Sequence, residues 1–130
     1  MTLQLTEHAK PVSVVQLAPG APVPAWAQGE PLASVTWTGD ETSVVCPTSA
    51  IPDELPGLVE GPFAAFEVAG PLDFSLTGVL SRLLEPLADA GVSVFTLSTY
   101  ATDWILVSAA AAARARATWL SAGHDVAEAP

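Results

Sequence analysis

The chain has 130 residues, of which half are hydrophobic, 14 are acidic and only four are basic, giving a formal net charge of −10 at pH 7. Such a length suits one ordinary domain or two very small ones, and the apolar content is ample for a core, so intrinsic disorder is set aside. The basic residues, Lys10, Arg82, Arg114 and Arg116, are too few and too scattered to neutralise phosphates or dock on an anionic membrane. Nucleic acid and membrane are therefore not expected partners, and the acidity favours cationic or zwitterionic ligands. Cys46 is the only cysteine, which excludes an intrachain disulfide. It follows Val44-Val45 and reads as a small buried hydrophobe rather than a reactive thiol. No basic segment followed by an apolar one opens the chain, and no apolar run approaches the roughly 20 residues of a membrane span. The expectation is a cytoplasmic, soluble protein.

In chain order, residues 12–17 (Val-Ser-Val-Val-Gln-Leu) read as a strand, since β-branched residues fit a pleated surface. Pro19, Pro22 and Pro24 then permit only a short helical turn near Trp26. Residues 32–38 and 42–46 read as a hairpin around Gly39-Asp40-Glu41, and Pro47-Thr48-Ser49 opens a short helical turn. Pro52, Pro56 and Gly57 mark a linker, with a boundary near Glu60. Residues 63–68 form the next predicted strand. Leu76, Val79, Leu80, Leu83, Leu84 and Leu87 then recur at helical spacing as one apolar stripe. Asp73 or Ser75 is a natural N-cap, Pro86 should kink the last turn, and Gly91 is a natural stop. A second hairpin follows, with strands at 92–98 and 104–107 around a turn at 99–101. Ser108 caps an alanine-rich helix over 109–121, Gly123 stops it, and 124–127 supply a last edge strand.

The two hairpins lie about 60 residues apart, and each half reads as strand, helix, strand, strand, helix, strand. This is the split βαβ plan, an α+β arrangement of two tandem ferredoxin-like (βαββαβ) units with antiparallel sheets and helices on one face. The expected units are residues 1–59 and 60–130. A half of that size is marginal alone, so the halves are expected to share a sheet or pack side by side.

Several stretches carry a family likeness. They are Pro22-Val23-Pro24-Ala25-Trp26-Ala27, Ser34-Val35-Thr36-Trp37-Thr38 and Asp40-Glu41-Thr42-Ser43-Val44-Val45-Cys46-Pro47 in the first half. In the second half they are Gly70-Pro71-Leu72-Asp73-Phe74-Ser75-Leu76-Thr77-Gly78 and Ser98-Thr99-Tyr100-Ala101-Thr102-Asp103-Trp104-Ile105-Leu106-Val107. Over nearly its whole length the chain resembles the small bacterial tandem ACT-domain proteins related to the CASTOR amino-acid sensors. The resemblance implies a ferredoxin-like fold, a homodimer, and binding of a small molecule, typically an amino acid, at an ACT–ACT interface. It places the ligand against the loop before the first helix and the edge of the second strand: Asp73, Phe74, Ser75, Leu76, Thr77, Ser98, Thr99 and Asp103. The alanines at 109–113 depart from the more polar helix of relatives.

The chemistry of those residues agrees. Free backbone N–H groups and the positive dipole end at a helix start suit a carboxylate. Asp73 or Asp103 could pair with an ammonium, and Ser98 and Thr99 offer hydroxyls. The plainer reading leaves Asp73 or Ser75 as a cap and 99–103 as a hairpin turn. Tyr100 lines the pocket or projects from the turn. Asp40-Glu41 is a turn or part of a second, pseudo-twofold site. Glu67 belongs to a solvated face rather than a ligand contact, and Trp26, Trp37, Trp104 and Trp119 are core or interface anchors. His8 and His124 read as surface histidines, so no metal is expected. No nucleophile–base grouping, carboxylate pair or phosphate loop appears, so neither an enzyme nor a cofactor is expected. The competing function is a dimerisation or assembly module that uses the ACT surface without a ligand.

Overall fold

The computed structural model describes residues 2–55, 57–70 and 77–130. In chain order the elements are β1 (Gln4–Glu7), β2 (Val12–Leu17), β3 (Ser34–Trp37), β4 (Thr42–Pro47), β5 (Leu58–Val68), α1 (Val79–Asp89), β6 (Val94–Ser98), β7 (Asp103–Ser108), α2 (Ala112–Ser121) and β8 (Asp125–Glu128). Single 3₁₀ turns occupy Thr48–Ala50 and Ala109–Ala111. The architecture is α+β with a mixed sheet and two α-helices.

Two compact units emerge: Lys10–Phe63, and Met1–Ala9 together with Ala64–Pro130. The division differs from a cut between residues 59 and 60. The expected boundary at Glu60 falls inside β5, and the N-terminal nine residues lie with the C-terminal unit because β1 pairs antiparallel with β5, Leu5 opposite Val68. Pro56, one of the expected linker markers, is outside the described residues.

In the Lys10–Phe63 unit the antiparallel order is β3-β4-β2 and then the first part of β5. The first expected helical segment is, as its prolines required, no more than a turn at Trp26. Prolines fill the loop between β2 and β3, and Ala27 N–H closes one turn on Pro24 C=O at 3.1 Å. The second expected helical turn is the 3₁₀ turn at Thr48–Ala50. Val15, Val44 and Cys46 form this unit's apolar cluster, with Leu17, Trp26, Val35 and Ile51 packed against it. Trp37 is 55 % exposed and is no core anchor.

In the other unit β1 lies between β8 and β5, and β7 pairs both β5 and β6. β1 runs parallel to β8, Leu5 beside Val126. The expected all-antiparallel sheet is thus corrected: the N-terminal strand, unforeseen in the sequence, inserts where the repeat would place β8 directly beside β5. Leu3, Leu5, Phe66, Val68, Ile105 and Val107 point to one sheet face, and α1 and α2 cover it with Val79, Leu83, Leu87, Ala112, Ala115 and Trp119. Alternation along each strand and helical spacing along each helix bring these residues into one core. Trp119, fully buried, meets the Phe66 ring edge-on at 4.9 Å and donates its indole N–H to Leu83 C=O at 2.8 Å.

The helix ends follow local chemistry. α1 starts at Val79 behind Gly78, whose φ of 77° is left-handed, and no side chain caps it. The expected caps Asp73 and Ser75 lie outside the described residues. The helix continues through Pro86 to Asp89. Gly91 (φ 74°) and Gly123 (φ 90°) stop α1 and α2 as expected. Val92 N–H reaches Leu87 C=O, Gly91 N–H reaches Ala88 C=O, and His124 and Gly123 repeat the pattern on Trp119 and Leu120. Both ends are Schellman motifs. Ser108 does not act as a side-chain cap. None of the described helices is long and apolar enough to cross a membrane.

Candidate functional site

β6 and β7 pair from Val94 opposite Val107 to Ser98 opposite Asp103. At the turn end of this hairpin Ser98 Oγ donates to Asp103 Oδ1 at 2.6 Å, a short charge-assisted bond. The other carboxylate oxygen of Asp103 has no hydrogen-bond partner among the described residues. Thr99 closes the turn: its N–H reaches Thr102 C=O at 2.9 Å, and its hydroxyl donates to the same carbonyl at 3.2 Å. Tyr100 stands 85 % exposed at the tip.

Thr102 holds this hairpin in place. It is 6 % exposed and donates its hydroxyl to Val68 C=O at 2.6 Å. The polar turn is thereby fixed at the C-terminal end of β5, where the chain leaves toward α1. Thr102 was not among the expected site residues. The signal for it was a threonine directly before Asp103 at the end of the turn.

Of the eight expected site residues, Asp73, Phe74, Ser75 and Leu76 lie outside the described residues. Thr77 is exposed just before Gly78. Ser98, Thr99 and Asp103 are brought together at one hairpin end.

The first hairpin repeats the turn but not the chemistry. Thr38 N–H bonds Glu41 C=O at 3.0 Å, and Thr38 Oγ1 accepts from the N–H groups of Asp40 and Glu41. The pair facing each other before that turn is Trp37 and Thr42. Where the second hairpin has Ser98 and Asp103, the first has an exposed indole and a buried threonine, so it offers no carboxylate at that place.

Elsewhere, two side-chain pairs stand out. Arg116 grips Glu7 through two bonds of 2.8 and 2.9 Å. That hydrogen-bonded ion pair, reinforced by Glu128, raises the guanidinium above its ordinary value. His8 Nε2 lies 3.0 Å from Glu67 Oε1, and its ring stacks on Trp104 at 5.1 Å. Glu67 is thus engaged by His8. The expectation of surface histidines fails for His124, which is 6 % exposed and accepts the Leu3 N–H on Nδ1 at 3.0 Å. Burial pushes the Cys46 thiol up, which keeps it neutral and unreactive. Among the described residues no group of three His, Cys, Asp or Glu side chains is placed to hold a metal ion. An open cleft of about 410 Å³ lies along α1, lined by Arg82, Glu85, Pro86, Asp89, Ala122 and His124.

Comparison with known proteins agrees with this architecture. A structure from Agrobacterium tumefaciens is similar over 100 % of this chain and 96 % of its own, with a TM-score of 0.90 and 28 % identity. The regulatory subunit of aspartate kinase from Thermus flavus matches with a TM-score of 0.62 and 11 % identity, over 94 % of this chain and 97 % of its own. The aspartate kinase of Clostridium acetobutylicum matches with a TM-score of 0.68 and 10 % identity, over 91 % of this chain and 34 % of its own. At such identities the two kinase likenesses bear on the fold alone. No curated protein matches the chain significantly. A model described as an N-terminal domain matches residues 12–54. No catalytic family is indicated, and residues 58–118 match the family model of the ACT domain.

Proposed function

We propose that this chain is a non-catalytic regulatory protein that binds an amino acid at an interface between ACT units, as a cytoplasmic homodimer built of two tandem ferredoxin-like units. The observation that carries this reading is the Ser98–Asp103 pair, whose carboxylate keeps an oxygen without a partner among the described residues, inside the segment that matches the ACT domain. The Clostridium acetobutylicum aspartate kinase, similar in fold, is an allosteric enzyme. The motif likeness to the CASTOR sensors points the same way. Asp103 receives the ammonium, Ser98 and Thr99 supply hydroxyls, and the segment Asp73, Phe74, Ser75, Leu76 and Thr77 before α1 faces the carboxylate and side chain. A carboxylate suits the helix start because its first N–H groups lack intrahelical partners.

A thermal-shift screen of the purified protein against the twenty amino acids and common nucleotides tests this, since a ligand of the folded state raises the melting temperature by mass action. One amino acid should give a shift, and Asp103→Ala should weaken its binding by about 1–3 kcal/mol. Equal affinity in the variant removes Asp103 from the site. No shift with any compound moves the weight to a second reading, an ACT-based assembly module without ligand. That reading is favoured by β6, which pairs with β7 and leaves Val94 and Phe95 exposed. A strictly monomeric species in sedimentation at high concentration, with no partner captured, would dispose of it.

A further inference from the structure

We propose that the cleft along α1 is a second binding site, separate from the hairpin end, for a small zwitterion carrying a carboxylate and an ammonium. The cleft is an open surface depression of about 410 Å³, suited to a small polar molecule held by its charged groups rather than engulfed. The central observation is His124. It occupies the residue after Gly123 in the Schellman turn of α2, with its N–H bound to Trp119 C=O at 3.0 Å. Its Nδ1 accepts the Leu3 N–H, so in the neutral ring the proton sits on Nε2. The side chain is more than nine-tenths buried yet lines the cleft, and Nε2 has no hydrogen-bond partner among the described residues. The ring is buried but its Nε2–H stays open to solvent at the cleft, with no partner among the described residues.

Three further groups converge there. Arg82, Glu85 and Asp89 share the lining face of α1, and none forms an ion pair with the others or with other described residues. Arg116, by contrast, grips Glu7. The cleft thus holds a guanidinium and an imidazole N–H as donors, and two carboxylates as acceptors. Two carboxylates beside one arginine disfavour a phosphate or a polyanion. The absence of a three-ligand metal group among the described residues disfavours a bare cation. A molecule with both charges satisfies both sets.

The experiment uses the full chain labelled with ¹⁵N throughout, observing the imidazoles of His8 and His124 and the backbone amides. Each of the twenty amino acids is titrated to about 10 mM, with acetate and methylammonium as single-charge probes. The expected result is a saturable shift of the His124 Nε2–H signal with at least one amino acid, reproduced by neither half-probe, while His8 stays still. Arg82→Ala should weaken that binding at least about tenfold, the loss of one charge-assisted contact. His124→Asn should weaken it similarly with the melting temperature little changed, because the Asn oxygen still accepts the Leu3 N–H while the Nε2 donor is gone. No His124 shift with any amino acid overturns the proposal, as does an equal response to acetate alone. Shifts confined to the amides of Ser98, Thr99 and Asp103 overturn this second site while leaving the proposed function standing.

Discussion

Two buried threonines behave in opposite ways. Thr102 gives its hydroxyl to Val68 C=O at 2.6 Å, whereas Thr42 Oγ1, fully buried, has no hydrogen-bond partner among the described residues. An unmet buried hydroxyl costs about 1–3 kcal/mol of lost hydration, while a satisfied one contributes about 1 kcal/mol net. Thr42→Val, nearly the same shape, should therefore stabilise the protein by about 1 kcal/mol, and Thr102→Val should destabilise it by about as much. Urea midpoints measure both, and a destabilised Thr42→Val would show that its hydroxyl is satisfied in solution. Thr102→Val should also weaken ligand binding at Asp103, since it loosens the turn from the end of β5 while β7 stays paired there. Cys46 gives a pH-dependent counterpart. Burial raises the thiol above its unfolded value of 9.0, so the neutral thiol's contribution is full below that value and is lost as pH rises through the folded one. Native protein at about pH 8 should accordingly resist iodoacetamide and react only as the Lys10–Phe63 unit opens; fast native labelling would contradict the burial. Residues of this kind are the least legible in a sequence. Ser98, Thr99 and Asp103 were readable as a cluster because they are neighbours around one turn. His124 was not, because its burial depends on Leu3, over a hundred residues away.

At the scale of elements, legibility follows how local the cause is. Gly91 and Gly123 could be read as helix stops because a left-handed residue after the last turn is a local demand that glycine meets at least cost. No atom lies within 4 Å of a Cβ built at either position, so substitution there tests backbone conformation alone. Gly91→Ala and Gly123→Ala should each cost about 1–2 kcal/mol, the penalty of an L-residue in that region, and Gly39→Ala, with equal space and no positive φ, should cost little. Thermal denaturation of the three variants decides it; equal effects at all three would remove the left-handed turn as the cause. The strand Val12–Leu17 and the apolar stripe of α1 were legible for the same reason, since their patterns are internal to the segment. β1 was not. Gln4–Glu7 is too short to carry a period, and its place is set by β5 and β8. The first half's two short helical turns were legible too: the prolines limited the first, and Pro47-Thr48-Ser49 marked the second, a 3₁₀ turn. The hairpin repeat did hold, with Thr38–Glu41 and Thr99–Thr102 closing the same way.

Across the whole chain, charge pulls in two directions, and magnitudes decide between them. A net charge of −10 over 130 residues makes the folded protein repel itself, and salt relieves that repulsion because the Debye length falls to about 10 Å at 0.1 M. Salt also weakens attractive pairs, of which Arg116 with Glu7 is the best formed, tying α2 to β1 through two short bonds. Arg116 is 39 % exposed on its side chain, so solvent screening holds the pair to about 1 kcal/mol. Fourteen acids against four bases leave at least ten acidic side chains that no basic one can match, and that excess outweighs one such pair. The melting temperature should therefore rise between about 10 mM and 150 mM sodium chloride, not fall. Arg116→Ala should melt lower than the native chain, with the gap narrowing as salt is added. It leaves Glu7 beside Glu128, its neighbour in the parallel register of β1 and β8, so the variant gains most from screening. Calorimetry of both proteins across that salt series measures the balance. A native melting temperature that drops with salt would mean that attractive pairs dominate, and a gap independent of salt would mean that Arg116 stabilises α2 by packing its aliphatic stem rather than by its charge.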